Sequence, residues 1–270
     1  MFFIRTLKIT HIMKQILRTL IIATLSLSLL ACNLESTKKE LTTHNDTTTS
    51  NKITTDDNQF SSKVEQNISN ETKSNPSKDS YITKNIEINK FNELEVNCAA
   101  EIIYNSGESP SISITTDNNT LNNLITTVND NTLSISLKGN NSYDYLKIEI
   151  NGPSILEDID LSGACSFKNV GRINPRSLDV ECLGASNIIL NDISCTEINI
   201  DCMGASSTNI TGLQCDELNI ECSGASNVII SGRCINAEYK AGGASTIDVT
   251  KLNASKIIKE MITGASTIKK

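Results

Sequence analysis

The chain has 270 residues, of which 38% are hydrophobic and 4% aromatic, with no tryptophan and a net charge of −7. This length allows one or two domains with a hydrophobic core, but so few rings offer little material for the aromatic platforms that commonly bind sugars or bases, and an acidic chain argues against a nucleic-acid partner. The two histidines, His11 and His44, both precede the region that has the pattern of a folded domain, which excludes histidine-based catalysis and metal ligation there.

The first 31 residues have the pattern of a signal peptide. Lys14 and Arg18 precede an apolar run over residues 20–31, which is too short for a typical membrane-spanning helix and leads into Cys32. The ending Leu-Leu-Ala-Cys resembles a bacterial lipoprotein signal, which implies cleavage before Cys32 and attachment of a lipid to its sulfur. The alternatives are a plain secretory signal or an anchor helix with an incidental cysteine. Met13 is an alternative start to Met1 and would give a more usual signal length.

Removal of residues 1–31 takes away four basic residues and no acidic ones, so the mature chain carries a net charge of −11. The expected location is the bacterial cell envelope, with the membrane as a partner through the lipid on Cys32. We expect the outer membrane, and the sequence leaves open whether the protein faces the periplasm or the cell surface.

Residues 32–80 are expected to form a lipid-anchored, disordered tether. From Asn33 to Ser80, 24 of the 48 residues are Ser, Thr or Asn, and the few large apolar side chains follow no helical or strand period. Such a segment cannot offset the entropy cost of ordering by burying apolar surface. Its coil dimension is about 35 to 40 Å, enough to hold a domain clear of lipid headgroups.

From residue 81 onward, short runs of alternating apolar and polar residues predict strands with one buried face. These runs centre on Ile86/Ile88, Leu94/Val96/Cys98, Ile112/Ile114, Leu133/Ile135/Leu137 and Leu146/Ile148/Ile150. One stretch differs, because Leu121, Leu124, Ile125 and Val128 have helical spacing. A short helix between strands is expected there.

The strongest feature is an internal repeat in which Gly-Ala-Ser or Gly-Ala-Cys recurs every 19 to 21 residues. The repeat begins at Gly163, Gly184, Gly204, Gly224, Gly243 and Gly264. A period of this size indicates a solenoid, in which each coil buries its inner face against its neighbours. Apolar residues alternate on both sides of each glycine, which predicts two strands that meet at a tight turn. Leucine-rich repeats share the period but not the sequence pattern. We therefore predict an all-β, single-stranded parallel β-helix over residues 81–270.

Each residue of the repeat has an expected structural role. The glycine supplies backbone freedom for the turn, the alanine leaves room for stacked coils, and the serine hydroxyls can form a ladder. The six repeat glycines are thus expected to be structural turn residues.

The Gly-Ala-Ser repeats, the opening Phe91-Asn-Glu-Leu-Glu-Val and the segment Ser111-Ile-Ser-Ile-Thr-Thr-Asp-Asn-Asn-Thr-Leu resemble the head GIN domain family of autotransporter adhesins. The resemblance covers about residues 82–270. It implies a right-handed β-helix similar to that of pectin lyases, without catalytic residues, and a role in cell adhesion. This sequence departs from the family in placing cysteine where small or aliphatic residues are common.

Eight cysteines follow Cys32, and their positions favour buried small residues over a disulfide framework. Cys182, Cys202 and Cys222 share one predicted inward column, and a second column contains three more. The second column is Cys195, Cys215 and Cys234. Stacked coils place such residues about 4.8 Å apart, but parallel Cβ directions suit a disulfide poorly. A thiolate metal site is weaker still, because no Cys-x-x-Cys occurs. No metal and no other cofactor is expected.

Acidic residues recur three positions before the repeat glycines. These residues, Asp160, Glu181, Asp201 and Glu221, are expected to form an outward column, with further acids at Asp158 and Asp179. The column is either a face that binds Ca²⁺ or a basic partner, or a solvated face of the solenoid, and the latter is favoured because the side chains can splay into water.

Three functions fit this sequence. The leading hypothesis is a non-enzymatic envelope lipoprotein that acts as an adhesin or surface-interaction module and binds a cell-surface glycan or protein. The second is a polysaccharide lyase or hydrolase built on a β-helix, for which no pair of carboxylates can be singled out. The third is a structural or signalling module of the envelope. No catalytic residue is expected, and the sequence does not determine the oligomeric state.

Overall fold

Successive coils of the chain stack in register, so residues about 20 positions apart in sequence lie side by side. Val180 lies between Ile159 of the preceding coil and Ile200 of the following coil, and all three strands run parallel. The predicted parallel β-helix is therefore confirmed. The computed structural model describes residues 81–107, 109–139 and 143–270, all within one compact unit, Glu71–Lys270. The predicted signal peptide (1–31) and tether (32–80) lie outside the described residues.

The described part of the chain contains sixteen strands and one short helix. The N-terminal elements are β1 (Ile82–Glu87), β2 (Glu93–Asn97), β3 (Glu101–Ser106), β4 (Ser111–Thr116), α1 (Asn118–Asn123), β5 (Leu124–Asn129), β6 (Thr132–Leu137) and β7 (Leu146–Gly152). The repeat elements are β8 (Asp158–Ser162), β9 (Ser166–Val170), β10 (Ser177–Cys182), β11 (Asn187–Asn191), β12 (Glu197–Cys202), β13 (Ser207–Cys222), β14 (Asn227–Ala241), β15 (Thr246–Ile262) and β16 (Thr267–Lys269).

Each coil has two long sides that meet at the repeat glycine. The first side consists of β2, β8, β10, β12 and the C-terminal parts of β13, β14 and β15. The second side consists of β3, β9, β11, the N-terminal parts of β13, β14 and β15, and β16. A short third side links one coil to the next and contains the paired segments 213–215, 232–234 and 252–254.

The N-terminal end departs from the simple order of the repeat. β2 lies between β6 and β8, and β3 lies between β7 and β9, so the coil that comes first in the chain is second in the stack. Antiparallel strands then complete this end, with β5 beside β6, β4 beside β7 and β1 beside β4. All five predicted alternating runs lie in or beside these strands.

The predicted helix is displaced toward the N-terminus. α1 covers Asn118–Asn123, whereas Leu124, Ile125 and Val128 belong to strand β5. Asp117 caps the helix, because its side chain accepts hydrogen bonds from the backbone N–H of Thr120 at 2.9 Å and from its hydroxyl at 2.5 Å. These bonds hold the pKa of Asp117 below its usual value. The β-branched residues after Asn123 favour the strand conformation, and pairing with β6 decides the outcome.

The core is mainly aliphatic, with an aromatic cluster near its N-terminal end and one buried aromatic residue, Tyr239, near its C-terminal end. Inward residues such as Ile198, Leu218 and Ile210 are completely buried. Tyr104 packs against Phe91 and Phe167, with ring centroids 6.4 and 6.1 Å away, and donates its hydroxyl hydrogen to the carbonyl of Pro153 at 2.6 Å. The buried phenol is therefore satisfied, and its pKa is raised by burial.

Candidate functional site

The six repeat glycines lie at the corner between the first and second sides. All have positive φ, between +71° and +103°. A Cβ atom added to Gly184, Gly204, Gly224 or Gly264 would lie 2.6 Å from the carbonyl oxygen of the preceding repeat glycine. The exception is Gly163, where an added Cβ would come no closer than 3.8 Å to its neighbours, because the coil before it turns at Cys98.

The alanine and serine of each repeat complete this corner. The alanine N–H donates to the carbonyl of the glycine in the preceding coil, as Ala205 does to Gly184 at 2.8 Å. The serine points inward, and in the described coils its hydroxyl bonds mainly with backbone carbonyls. Ser226, for example, donates to Ser223 at 3.0 Å or to Cys202 at 3.2 Å. The serines of successive coils therefore stack in a buried column, and the hydroxyl of Ser226 bonds with carbonyls of the turn, which are good acceptors for a buried hydroxyl.

The outward side chains of the first side form an acidic face. Its main column is stacked in register and contains Glu95, Asp160, Glu181, Asp201 and Glu221, ending at Lys240. Beside it runs a column of Glu93, Asp158, Asp179, Asn199, Asn219 and Glu238. The four predicted residues are thus brought together. Sequence reasoning missed Glu93 and Glu95, because β2 precedes the repeat and carries no glycine marker.

Neighbouring coils supply hydrogen-bond donors to several of these carboxylates. The amide of Asn199 donates to Asp179 at 2.7 Å, and the amide of Asn219 donates to Asn199 at 2.9 Å. Lys240 closes the main column with an ion pair to Glu221 at 3.0 Å. Such contacts reduce the repulsion expected for like charges at the spacing of stacked strands.

The outward side chains of the second side form a neutral face. In coils β11 to β14 its outward positions carry only amides, hydroxyls and isoleucine. They are Asn187, Ile189, Asn191, Ser207, Asn209, Thr211, Asn227, Ile229 and Ser231. Ile189 and Ile229 are 37% and 40% exposed. The same coils therefore present a charged surface on one side and an uncharged polar surface on the other.

The predicted inward cysteine columns are both present, and every described cysteine is a free thiol. The first thiol column, Cys182, Cys202 and Cys222, lies on the first side and is at most 2% exposed. A hydrogen bond with Cys202 and burial raise the pKa of Cys182. These thiols fill the positions taken by Leu161 and Ala241 in other coils, which fits a role as small core residues.

The second thiol column, Cys195, Cys215 and Cys234, lies on the short third side and is less well covered. Cys215 and Cys234 pair in register and are 8% and 4% exposed, while Cys195 is partly exposed. Burial raises the pKa of Cys195 to about 12. A hydrogen bond from its neighbour stabilises the thiolate of Cys234 and lowers its pKa.

No group of three or more metal-ligating side chains is arranged to hold an ion within residues 81–107, 109–139 and 143–270. The carboxylates of the acidic face point outward along a flat surface and do not converge on one point. The predicted lipidation site, Cys32, lies outside the described residues. No helix in the described part of the chain is long and apolar enough to cross a membrane.

Solved structures that are similar to this chain include three bacterial proteins. A "putative adhesin" from Bacteroides fragilis aligns with a TM-score of 0.57 and 18% identity over 72% of this chain and 98% of its own. A "putative lipid binding protein" from Parabacteroides distasonis aligns at 0.43, with 20% identity over 71% and 97% of the two chains. A "putative adhesin" from Parabacteroides merdae aligns at 0.44, with 16% identity over 71% and 96%.

The comparison with curated proteins gave no match. The family model described as "Putative auto-transporter adhesin, head GIN domain" matches residues 90–269, which include every coil of the repeat. The chain therefore belongs to this family.

Proposed function

We propose that this protein is a non-enzymatic lipoprotein of the bacterial cell envelope, anchored through a lipid on Cys32, and that its solenoid acts as an adhesin. The segregation of charge between the two sides of the same coils carries this proposal. Repetition of one outward pattern over several coils produces an extended surface, which suits contact with another macromolecule.

The same repetition argues against a catalytic role. Catalysis needs a few groups with distinct environments that meet at one point, whereas the described coils present similar side chains at every level. Both histidines of the chain precede these coils, so the most common general base is missing from them. We expect no unsaturated uronides and no new reducing ends when residues 71–270 are incubated with pectin, alginate, chitin or peptidoglycan, compared with a heat-inactivated sample. Either product would favour a polysaccharide lyase or hydrolase.

We propose that the acidic face is the adhesive surface and that its ligand is a protein with a basic surface. Long columns of carboxylates raise the local concentration of positively charged partners and speed their association. In coils β11 to β14 the outward residues of the neutral face are uncharged, so this face does not attract positively charged partners in the same way. It therefore serves as the internal reference for binding by the acidic face.

A binding array of glycans and extracellular-matrix proteins tests this assignment, with residues 71–270 as the probe in the presence and absence of Ca²⁺. The test variant combines Asp160→Asn, Glu181→Gln, Asp201→Asn and Glu221→Gln. The matched control combines Asn187→Ser, Asn209→Ser and Asn227→Ser on the neutral face. We expect the parent to bind basic proteins, the acidic-face variant to lose this binding, and salt to weaken it. Loss in the neutral-face variant alone, or binding to uncharged glycans only, would move the adhesive surface to the other side.

The lipid anchor has a separate test. The full-length chain and a Cys32→Ser variant are produced in a bacterial host, and the membrane fraction is washed with carbonate. We expect the parent to stay with the membrane and the variant to lose the lipid anchor, because acyl chains on Cys32 provide the attachment. Mass spectrometry of the N-terminal peptide checks for the lipid directly. An unlipidated Cys32 in the membrane-bound parent would contradict the proposal.

A further inference from the structure

The last described coil of the solenoid, residues 246–270 and here called the terminal coil, has core-type residues that no other described part of the chain covers. Strand β15 pairs with β14 along one edge, and β16 pairs only with Thr246–Asp248 along the other. Among the described residues, no strand lies beside the outer edge of Lys256–Ile262. This stretch contains four exposed apolar residues, Ile257, Ile258, Met261 and Ile262, which are 41%, 46%, 46% and 48% exposed.

Two of these four residues align with buried positions of the preceding coil. Ile257 aligns with Ala237, which is 1% exposed, and Ile262 aligns with Ala241, which is 2% exposed. A register shift between Ala237 and Glu238 makes Ile258 an extra residue in β15. Ile258 therefore has no counterpart in the core, and Met261 aligns with Lys240, an outward residue of the first side. A cluster of four exposed apolar residues within six positions is unusual for a surface in contact only with water.

The charge of the terminal coil is opposite to that of the rest of the domain. Residues 81–245 contain 21 acidic and 9 basic residues, whereas residues 246–270 contain two acidic and five basic residues. The five are Lys251, Lys256, Lys259, Lys269 and Lys270. All five are exposed, and Lys270 pairs with Glu260 at 2.6 Å. Lys256 and Lys259 thus lie within the same stretch as the exposed apolar residues, in the basic coil of an acidic domain.

We propose that the terminal coil binds the surface of an anionic phospholipid membrane. The lysines lie near the phosphate groups, and Ile258 and Met261 enter the boundary between headgroups and acyl chains. Apolar side chains flanked by basic residues are the combination that interfacial membrane-binding segments use. Lysine suits this place because its long stem can cover apolar surface while its ammonium group stays with the headgroups.

The same observations disfavour two other occupants. A second copy docked through the same coil would bring two positively charged ends together, whereas a symmetric interface needs a self-complementary patch. An anionic polysaccharide would satisfy the lysines but would leave the isoleucines and the methionine in contact with polar groups. A membrane satisfies both, and the acidic part of the domain would be repelled from it, which orients the solenoid with its terminal coil toward the lipid.

The test uses residues 71–270, the unit that contains the whole described core, and therefore has no contribution from the lipid on Cys32. Binding is measured by co-sedimentation with vesicles of phosphatidylcholine alone and of phosphatidylcholine mixed with phosphatidylglycerol. We expect binding to the mixed vesicles only, and a decline as salt screens the attraction. Lys256→Gln with Lys259→Gln is expected to weaken binding about twenty-five-fold, from about fivefold for each lysine near an anionic surface.

The apolar part of the site has its own variant and control. Ile258→Ser with Met261→Ser should weaken binding at least about tenfold, because less apolar area is buried in the interface. Ile189→Ser with Ile229→Ser changes two isoleucines of comparable exposure on the neutral face and should leave binding unchanged. These residues are all partly exposed, so the variants should keep the circular dichroism spectrum of the parent.

The absence of tryptophan allows a direct measure of insertion. Met261→Trp introduces a single tryptophan, whose emission should shift to shorter wavelength with mixed vesicles and not with phosphatidylcholine alone. Ile229→Trp is the matched control and should show no shift.

Three results would overturn the proposal. The first is equal binding to both kinds of vesicle, or to neither. The second is binding to soluble polygalacturonate that needs the lysines but not Ile258 or Met261, together with no shift at position 261, which would assign the terminal coil to a polyanion. The third is a dimer in light scattering that Ile258→Ser with Met261→Ser dissociates, which would assign it to a second copy. None of these results bears on the adhesive role of the acidic face, which the array tests separately.

Discussion

The coils that contain β9, β11 and the N-terminal part of β13 turn at two corners that use the left-handed backbone conformation for different reasons. The first corner joins the two long sides at the repeat glycine. The second corner follows the second side, at Gly171, Asp192 and Gly212, with φ of +87°, +55° and +72°. The first is glycine in each of the six repeats, whereas the second accepts aspartate in the middle of the stack.

Between Gly204 and Gly212, the difference lies in how closely adjacent coils approach. At the first corner, an added Cβ on Gly204 would be 2.6 Å from a carbonyl oxygen of the coil below. At the second corner, an added Cβ on Gly212 would be 3.5 Å from the nearest atom, the backbone nitrogen of Asp192. The first corner therefore requires glycine for both its φ and its small size, and the second corner, at Gly212, requires only a residue that tolerates positive φ.

The largest effect is expected from Gly204→Val. A β-branched side chain would adopt an unfavourable φ and would also overlap the backbone of Gly184. We expect the free energy of unfolding to fall by about 2 to 4 kcal/mol. Chemical denaturation followed by circular dichroism measures this change. A midpoint equal to that of the parent would show that the corner can widen, and the close approach would then not be the reason for glycine.

The two corners can also be compared by how well the thiol columns near them are protected from solvent. Cys182, Cys202 and Cys222 lie on the strands that enter the first corner, and Cys195, Cys215 and Cys234 lie just after the second corner. Since the second column is less well covered, we expect native alkylation to modify it at least about tenfold faster than the first. In denaturant without reductant, up to eight thiols of residues 71–270 should react.

Peptide mapping by mass spectrometry gives the rate at each cysteine. Faster modification of Cys202 than of Cys195 would mean that the first corner opens more readily than the second. Three or more disulfides in the denatured sample would instead indicate a stapled fold.

A smaller effect is expected from Gly212→Ala. The new methyl group meets no close neighbour, so only the cost of positive φ remains, about 1 kcal/mol. Gly212→Asp is the matched comparison, because aspartate already occupies this corner one coil earlier and tolerates the conformation better. Thermal unfolding of these two variants is compared with that of Gly204→Ala. The comparison separates the cost of a positive φ from the cost of steric overlap with the adjacent coil. If all three variants lose the same stability, the close approach at the first corner has no energetic consequence.

The contrast between the corners also explains what the sequence could reveal. The first corner was predictable because one residue type satisfies it, so Gly184, Gly204 and Gly224 mark the coils directly. The second corner was not, since glycine and aspartate both satisfy it and no fixed motif results. The direction of side chains on the first side followed from alternation, and the acidic column was located correctly from Asp160 to Glu221.

Features that depend on long-range pairing could not be predicted. The position of β2 between β6 and β8 depends on contacts between segments that share no repeat motif. The boundary between α1 and β5 was misplaced because Leu124 and Ile125 fit a helical spacing and a strand alike, and pairing with β6 favours the strand. The exposure of Ile258 was equally hidden, because it results from a register shift in β15.

The smallest effect is expected on the acidic face, and it tests whether the corner or the side chains set the spacing of the coils. Glu181, Asp201 and Glu221 lie three residues before their repeat glycines, and like charges at the spacing of stacked strands repel each other. If the side chains set the spacing, their neutralisation would tighten the stack and stabilise it considerably. If the bonds from Ala205 to Gly184 and from Ala225 to Gly204 set it, at 2.8 and 2.7 Å, the carboxylates have little influence on the spacing.

We favour the second case, because outward carboxylates are well screened and Lys240 already pairs with Glu221. Glu181→Gln with Asp201→Asn should therefore raise the free energy of unfolding by only a few tenths of a kcal/mol at low salt and by less at high salt. Urea denaturation at two salt concentrations measures this difference, and Asn209→Ser on the neutral face is a control without a change of charge. A gain above about 2 kcal/mol would exceed what exposed charges provide. It would mean that repulsion on the acidic face strains the glycine corner.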